Sequence, residues 1–350
     1  MTSLSIILMD VILLVFLLML SIPLPVCFAG ALLFLSLFGD VSMKTMLIWV
    51  FSQSTGTVLL ASPLFILAGT YMGGSGIAKR LLDCVDAFVG HIKSGLGVVA
   101  VLVCAIMGAI SGSGFTGVAA TGPIMIPKME EQGYPRGYAT ALVTVSSVLG
   151  LLIPPSVVMI MFGWVTECSI LACFLSTLGP GLIITALFCI IHVFWSRQFD
   201  LKVTEKKPFG EFASNAGKMT FKAVPALIMP LIILGGIYGG VFTPTEAAAM
   251  AAIYSIPIGL WVYKACTFKG FLAMTKEATS TVGSIMVMIV CCLMLSRVFT
   301  VYRVPELVLE LLMSITTNKY ILLFIIDIFL FIVGMIVNDT TGVLICAPVL

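Results

Sequence analysis

Residues 97–128 decide how this chain is organised: they read GVVAVLVCAIMGAISGSGFTGVAATGPIMIPK. Two apolar stretches, each too short to cross a hydrocarbon core comfortably, flank a break at 111–117 that holds three glycines and three hydroxyl residues around Phe115. Unwound backbone is tolerated at membrane depth only where protein or a water-filled cavity surrounds it. The stretch therefore predicts a re-entrant helical hairpin, which enters and leaves the membrane on the same side.

The composition supports lipid as the solvent of this chain. Hydrophobic residues make up 60% of its 350 positions and charged residues only 10%, with a mean hydropathy of +1.20. A soluble globular protein has no core large enough to hide so much apolar surface. The net charge of +2 is too small to indicate a nucleic-acid partner, and none is expected.

Further apolar stretches predict an all-α polytopic membrane protein. Residues 4–38 would form one helix of about 50 Å, which exceeds a hydrocarbon core of about 30 Å, so Pro23 and Pro25 are expected to divide them into two spans. The first basic residue is Lys44, so no cleaved signal peptide is expected. The other predicted spans are 47–72, 137–163, 169–195, 223–241, 247–263 and 280–299, followed by an apolar block at 320–350.

The basic residues predict the direction of the spans. The spans cross the membrane in alternating directions, and the hairpin returns to the side from which it enters. On this count, one side of the membrane receives 14 of the 18 Lys and Arg, in the loops 73–94, 128–136, 197–222 and 264–276. The positive-inside rule makes this side cytoplasmic and puts the N-terminus outside. Residues 76–92, apolar on one helical face and charged on the other, predict an amphipathic helix along the bilayer surface.

An internal repeat is visible at an offset of 225 residues. Thr116-Gly117-Val118 followed by Pro123 matches Thr341-Gly342-Val343 followed by Pro348, and residues 301–316 form a second amphipathic stretch. By the same alternation of spans, the two hairpins open on opposite sides of the membrane. Inverted repeats of this kind are typical of secondary transporters. The expected division is 1–72 as N-terminal scaffold spans, 73–195 as the first repeat with the broken span 137–163, 196–222 as a cytoplasmic loop, 223–299 as scaffold spans and 300–350 as the start of the second repeat.

The hairpin break is a candidate cation site. It offers carbonyl oxygens and the hydroxyls of Ser111, Ser113 and Thr116, and Gly112 lets the chain turn sharply. Such oxygens suit a small hard cation such as sodium. Gly150, Pro154 and Pro155 mark a second break, whose freed carbonyls could complete the site. The alternatives are a close-packing motif for the first break and a structural kink for the second.

Acidic residues in apolar stretches supply further candidates, because a carboxylate inside a membrane is costly. Asp339 lies in the second tip, Asn338-Asp339-Thr340-Thr341, whereas Asp10 and Asp327 are open to another interpretation, a place near an interface or a partner subunit. Thr243-Pro244-Thr245-Glu246 predicts a helix capping box, with a direct transport role for Glu246 as the alternative. No Walker A, HExxH or GxSxG motif is present, so no enzymatic activity is expected.

Seven short motifs follow one another along the chain: Gly73-Gly74-Ser75-Gly76-Ile77-Ala78, Gly108-Ala109-Ile110-Ser111-Gly112-Ser113, Ile124-Met125-Ile126-Pro127, Gly133-Tyr134-Pro135, Ile153-Pro154-Pro155-Ser156, Gly235-Gly236-Ile237-Tyr238 and Phe242-Thr243-Pro244-Thr245-Glu246-Ala247-Ala248. In this order and spacing, the sequence resembles the large membrane (permease) subunit of tripartite ATP-independent periplasmic (TRAP) transporters over nearly its whole length.

The resemblance implies a sodium symporter of the bacterial inner membrane with an elevator mechanism and no cofactor besides the coupling ion. It implies an organic acid substrate such as a dicarboxylate, a periplasmic binding protein that delivers it, and a small four-helix membrane subunit. It also implies a first sodium site at Ser111, Ser113, Gly150 and Pro155, a second at Asn338, Asp339 and Thr341, and a substrate carboxylate between the two tips.

One departure from the family bears on activity. Family members continue past the second tip through another broken span, whereas the counterpart of Pro154-Pro155 would fall near position 380, beyond Leu350. We therefore expect that these 350 residues alone do not transport. The alternatives are a single-component elevator transporter for anions, and an inactive, truncated membrane remnant or scaffold.

Overall fold

The computed structural model describes residues 3–39, 41–90, 92–201 and 209–350, and every regular element among them is helical. The α-helices are α1 Ser3–Met19, α2 Leu24–Phe38, α3 Met43–Ser54, α4 Ala61–Gly74, α5 Ile77–Val89, α6 Gly95–Ser111, α7 Gly114–Glu131, α8 Arg136–Ser146, α9 Leu149–Leu152, α10 Val157–Val165, α11 Ile170–Trp195, α12 Phe209–Pro230, α13 Gly236–Tyr238, α14 Pro244–Pro257, α15 Phe268–Val301, α16 Val304–Ile315, α17 Lys319–Ile336 and α18 Asp339–Cys346. Short 3₁₀-helices occupy Thr57–Leu60 and Ser196–Gln198, and π-helical turns occupy Leu231–Gly235 and Ile258–Val262.

Seven helical stretches in the described part of the chain are long and apolar enough to cross a membrane. They are Thr57–Gly74, Arg136–Val165, Ile170–Gln198, Ala216–Tyr238, Pro244–Val262, Phe268–Val301 and Lys319–Ile336. Apolar helices of 10–17 residues add Ser5–Met19, Leu24–Phe38 and Gly95–Ser111. The predicted all-α polytopic membrane protein is thus confirmed.

The chain divides into two compact units. The first contains Met1–Leu59, Met161–Cys168 and Ser280–Leu350, and its core joins apolar side chains of α1, α2, α3 and α15. The second contains Leu60–Ile160 and Ser169–Thr279. α6 is the centre of this second unit, because 14 of its residues are buried beneath the helices around it.

Two predicted boundaries were wrong. Residues 47–72, expected as one span, form α3 and α4 with a break at Thr55-Gly56, where the Gly56 amide donates to the Gln53 carbonyl at 3.3 Å. The polar stretch Ser52-Gln53-Ser54-Thr55-Gly56-Thr57 is the local signal for this turn. The predicted loop 264–276 is helical from Phe268 onward, where α15 begins. α15 runs for 34 residues, or about 51 Å, so it extends well beyond the hydrocarbon thickness.

The first amphipathic helix packs on protein. Ile77, Leu81 and Cys84 on the apolar face of α5 are buried inside the second unit, where α5 lies against α12 and α6. This face, expected at the bilayer surface, is therefore covered by the chain itself. Its counterpart α16 has no buried residue.

The helix boundaries extend the sequence repeat. α7 begins at Gly114 and α18 at Asp339, which are separated by the offset of 225 found in the sequence. The preceding helices α6 and α17 likewise end at Ser111 and Ile336. The units α6–α7 and α17–α18 therefore each consist of one helix, a short break and a second helix. The opposite orientation of the repeats stays a prediction.

Candidate cation-binding site

The tip of the first hairpin is a two-residue break. α6 ends at Ser111, and Gly112 adopts the left-handed conformation (φ 67°) while its amide donates to the Gly108 carbonyl at 2.7 Å. Glycine at this position is a common helix C-terminal signal. Ser113 is extended and α7 begins at Gly114, so the unwound stretch predicted over 111–117 is shorter than expected. Thr116 falls in the first turn of α7, and its side chain lies outside the described residues.

The two serines of the tip are bonded to each other. The Ser111 hydroxyl donates to the Ser113 carbonyl at 3.3 Å and accepts from the Ser113 amide at 3.4 Å. Ser111 is 1% exposed. Both bonds are long, so they are weak, but they keep the Ser111 hydroxyl near the backbone of Ser113.

The second break lies at 153–156. α9 ends at Leu152 and α10 begins at Val157, with a cis peptide bond between Pro154 and Pro155. Neither proline has an N–H group, so the carbonyls of Gly150 and Leu151 lack the donors that a continuous helix would supply. The break therefore leaves backbone oxygens available beside it.

The structure brings the two breaks together within the second unit. The Val157 amide donates to the Gly112 carbonyl at 3.1 Å. A methyl group added to Gly112 would lie 3.0 Å from the Pro155 carbonyl oxygen, and one added to Gly150 would lie 3.1 Å from that of Ser113. The predicted first-site residues Ser111, Gly112, Ser113, Gly150 and Pro155, with the adjacent Pro154, thus share one small region.

Two hydroxyl residues of the second break were not counted among the predicted ligands, and they lie on either side of α9. Ser156 follows Pro155 directly, and Ser146 ends α8 just before α9. Both residues are 0% exposed, and neither hydroxyl has a hydrogen-bond partner. A buried polar atom without a partner is rare and calls for an explanation. For Ser156, the signal available in the sequence was its position directly after the double proline.

The available ligands are neutral oxygens. The described residues contain no group of three or more His, Cys, Asp or Glu that could hold a metal ion. Carbonyl and hydroxyl oxygens favour hard cations over transition metals. The C-terminal end of α6 carries the negative end of a helix dipole, which also favours a cation.

The second tip is built differently. The Thr340 amide donates to the Asn338 side-chain oxygen at 3.0 Å and to the Asp339 carboxylate at 2.8 Å, so both side chains cap α18. Thr341 is 0% exposed, and its hydroxyl donates to the Met288 sulfur at 2.9 Å. Asn338, Asp339 and Thr340 therefore meet at the tip, whereas Thr341 is directed toward α15.

The predicted capping box is confirmed. The Thr243 hydroxyl accepts from the Glu246 amide at 3.3 Å, and the Glu246 carboxylate accepts from the Thr243 amide at 2.8 Å. These bonds account for both side chains at the start of α14.

Comparison with known proteins identifies the family. Residues 11–350 match the family model of the tripartite ATP-independent periplasmic transporter, DctM component. The chain belongs to the DctM family. It is 34% identical to the C4-dicarboxylate TRAP transporter large permease protein DctM of Pseudomonas aeruginosa over 321 residues, which cover 92% of this chain and 74% of that protein.

Other relatives of this DctM-family chain have different named substrates. It is 33% identical to the ectoine/5-hydroxyectoine TRAP transporter large permease protein UehC of Ruegeria pomeroyi, covering 95% of the chain and 78% of the relative. It is 32% identical to the 2,3-diketo-L-gulonate TRAP transporter large permease protein YiaN of Escherichia coli, covering 83% and 68%. The family resemblance drawn from the motifs is confirmed, and this is a family of transporter components and not of enzymes.

Proposed function

We propose that the chain is the permease component of a sodium-coupled TRAP symporter that imports a small organic acid across the bacterial inner membrane. The observation that carries sodium coupling is the contact between the hairpin tip and the proline break, joined by the bond from Val157 to Gly112. This region combines freed carbonyls with buried hydroxyls. The named substrates of the relatives support a small organic acid, such as a C4-dicarboxylate.

In this proposal the first cation site is formed by oxygens of Ser111, Ser113, Gly150 and Pro155, with Ser156 as an additional ligand. Gly112 and Pro154 set the backbone path, and Thr116 remains a candidate through its place beside the tip. Asn338, Asp339, Thr340 and Thr341 form the beginning of a second site. An elevator movement would carry the first site across the membrane.

Sodium binding can be tested without transport, because a ligand that binds the folded state raises the unfolding temperature. The purified chain in lipid nanodiscs is melted in sodium, potassium and choline chloride at constant ionic strength. We expect sodium alone to raise the melting temperature. Ser113→Ala should lose this shift, whereas Ser314→Ala, whose hydroxyl bonds only to the Leu311 carbonyl, should keep it. Equal melting temperatures in all three salts would refute the site.

The proposed partners are a small four-helix membrane subunit and a periplasmic binding protein, and the proposed N-terminus is periplasmic. Co-expression of the chain with a tagged small subunit from the same transporter should yield a stable complex after detergent extraction. Recovery of the chain without the subunit would favour the single-component alternative. Labelling of an N-terminal cysteine in intact cells tests the orientation.

A further inference from the structure

Asp10 is an acid in the middle of a membrane helix. α1 carries no other charged residue, and Asp10 is 0% exposed. Neither of its carboxyl oxygens has a hydrogen-bond partner. The cation site and the capping interactions described above make no use of this side chain.

The elements packed with α1 supply no counter-charge. α2, its principal neighbour, contains no charged residue, and its titratable group is the Cys27 thiol, which donates to the Ile22 carbonyl at 3.3 Å. Among the first-unit residues of the other helices that supply buried residues to this core, the titratable or charged groups are Lys44 on α3, Cys291, Cys292 and Arg297 on α15, and Asp339 and Cys346 on α18. Lys269, Lys276 and Glu277 of α15 precede Ser280 and belong to the second unit. Arg297 lies over the Trp49 ring at 5.2 Å, and Asp339 caps α18.

The burial decides which ligand fits. An ionised carboxylate without a partner loses its hydration and gains nothing in return, so a carboxyl in such a place takes up a proton instead. Asp10 has no exposed surface, so there is no room for a hydrated cation beside it. The same burial excludes a contact with a partner subunit or a lipid headgroup. The proton is the ligand that needs no cavity.

We propose that Asp10 is a proton-binding site, neutral while α1 lies against α2. When this packing opens, the carboxyl O–H bond breaks, the proton passes to water and a hydrated carboxylate remains. Because the packed state holds one proton more than the open state, low pH favours packing and high pH favours opening. The site gives the membrane domain a response to pH that is separate from the proposed sodium site.

Infrared spectroscopy of the full chain in lipid bilayers tests the proposal. With aspartate labelled by ¹³C at the carboxyl carbon, the wild type should show a protonated-carboxyl band at neutral pH. The band should be lost in Asp10→Asn. In Asp10→Glu, which retains a carboxyl, the protonated-carboxyl band should appear at the frequency of an unlabelled glutamic acid. This variant keeps the test valid if Asp10→Asn fails to fold. Wild-type and variant spectra without a difference in this band would overturn the proposal.

A pH series of melting temperatures provides a second readout. Asn stays neutral at every pH, so the wild type should lose stability relative to Asp10→Asn as the pH rises. Parallel curves for the two proteins would also overturn the proposal, because they would show that folding does not change the proton occupancy of Asp10.

Discussion

The Val157 amide donates a hydrogen bond to the Gly112 carbonyl at 3.1 Å. Gly112 turns the chain between α6 and α7, and Val157 is the first residue of α10, directly after the proline break. One backbone bond thus connects the hairpin tip with the broken span. A substitution in either break should therefore affect the other.

Gly112→Ala should destabilise the protein for two reasons. The left-handed conformation costs a residue with a Cβ about 1–2 kcal/mol. In addition, the new methyl would lie 3.0 Å from the Pro155 carbonyl oxygen and 3.2 Å from the Val157 amide. Gly240→Ala is a matched control, because Gly240 has nearly the same φ of 68° but nothing within 4 Å of an added methyl. Thermal unfolding should show the greater loss for Gly112→Ala, and equal losses would contradict the close approach.

Gly150→Ala should separate the two breaks. The added methyl would lie 2.7 Å from the Gly108 Cα and 3.1 Å from the Ser113 carbonyl oxygen, and backbone atoms cannot rotate away as a side chain can. Overpacking of this kind costs about 1–3 kcal/mol. Gly137→Ala on α8 adds a methyl to open space and should have little effect. The sodium-dependent melting shift should fall in the first variant and persist in the second; its persistence in both would place the cation elsewhere.

The sequence predicted those features that covalent chemistry imposes. Double proline at 154–155 has no amide hydrogen, so a break there was certain to leave free carbonyls. The glycines at 112 and 114 likewise allowed a sharp reversal. Hydropathy over about 20 residues located the spans because the membrane thickness fixes their length.

Other features depend on three-dimensional packing and had no local signal. The restart of α7 at Gly114 shortened the expected break. Nothing in the sequence shows that the hydroxyls of Ser146 and Ser156 lack partners, because hydrogen bonding is decided by neighbours distant in sequence.

Tyr263→Phe should destabilise α12, where the tyrosine hydroxyl takes the place of a backbone hydrogen bond. In a regular helix the Ala226 amide would donate to the Lys222 carbonyl. Here the Tyr263 hydroxyl accepts from that amide and donates to that carbonyl, each at 3.0 Å, beside the helix-breaking Pro225.

Loss of the inserted hydroxyl leaves two backbone groups without their partner, at a cost of about 1–3 kcal/mol. Thermal unfolding and amide hydrogen exchange at Ala226 measure this effect. Tyr320→Phe is the control, since Tyr320 is 71% exposed and should change neither. Unchanged exchange at Ala226 in Tyr263→Phe would show that the helix re-forms its own bond.

The ion pair between Asp86 and Lys128 should couple α5 to α7 weakly and in a salt-dependent way. Its Nζ–Oδ2 distance is 2.6 Å, but the side chains are 27% and 39% exposed. Water screens such a pair, so a double-mutant cycle with Asp86→Asn and Lys128→Gln should give about 0.2–1 kcal/mol. The coupling should shrink in high salt, because mobile ions screen exposed charges. As a control, Asp83→Asn in place of Asp86→Asn should show no coupling to Lys128. A coupling free energy between Asp86 and Lys128 that does not change with salt would mean that lipid or a partner subunit shields the pair.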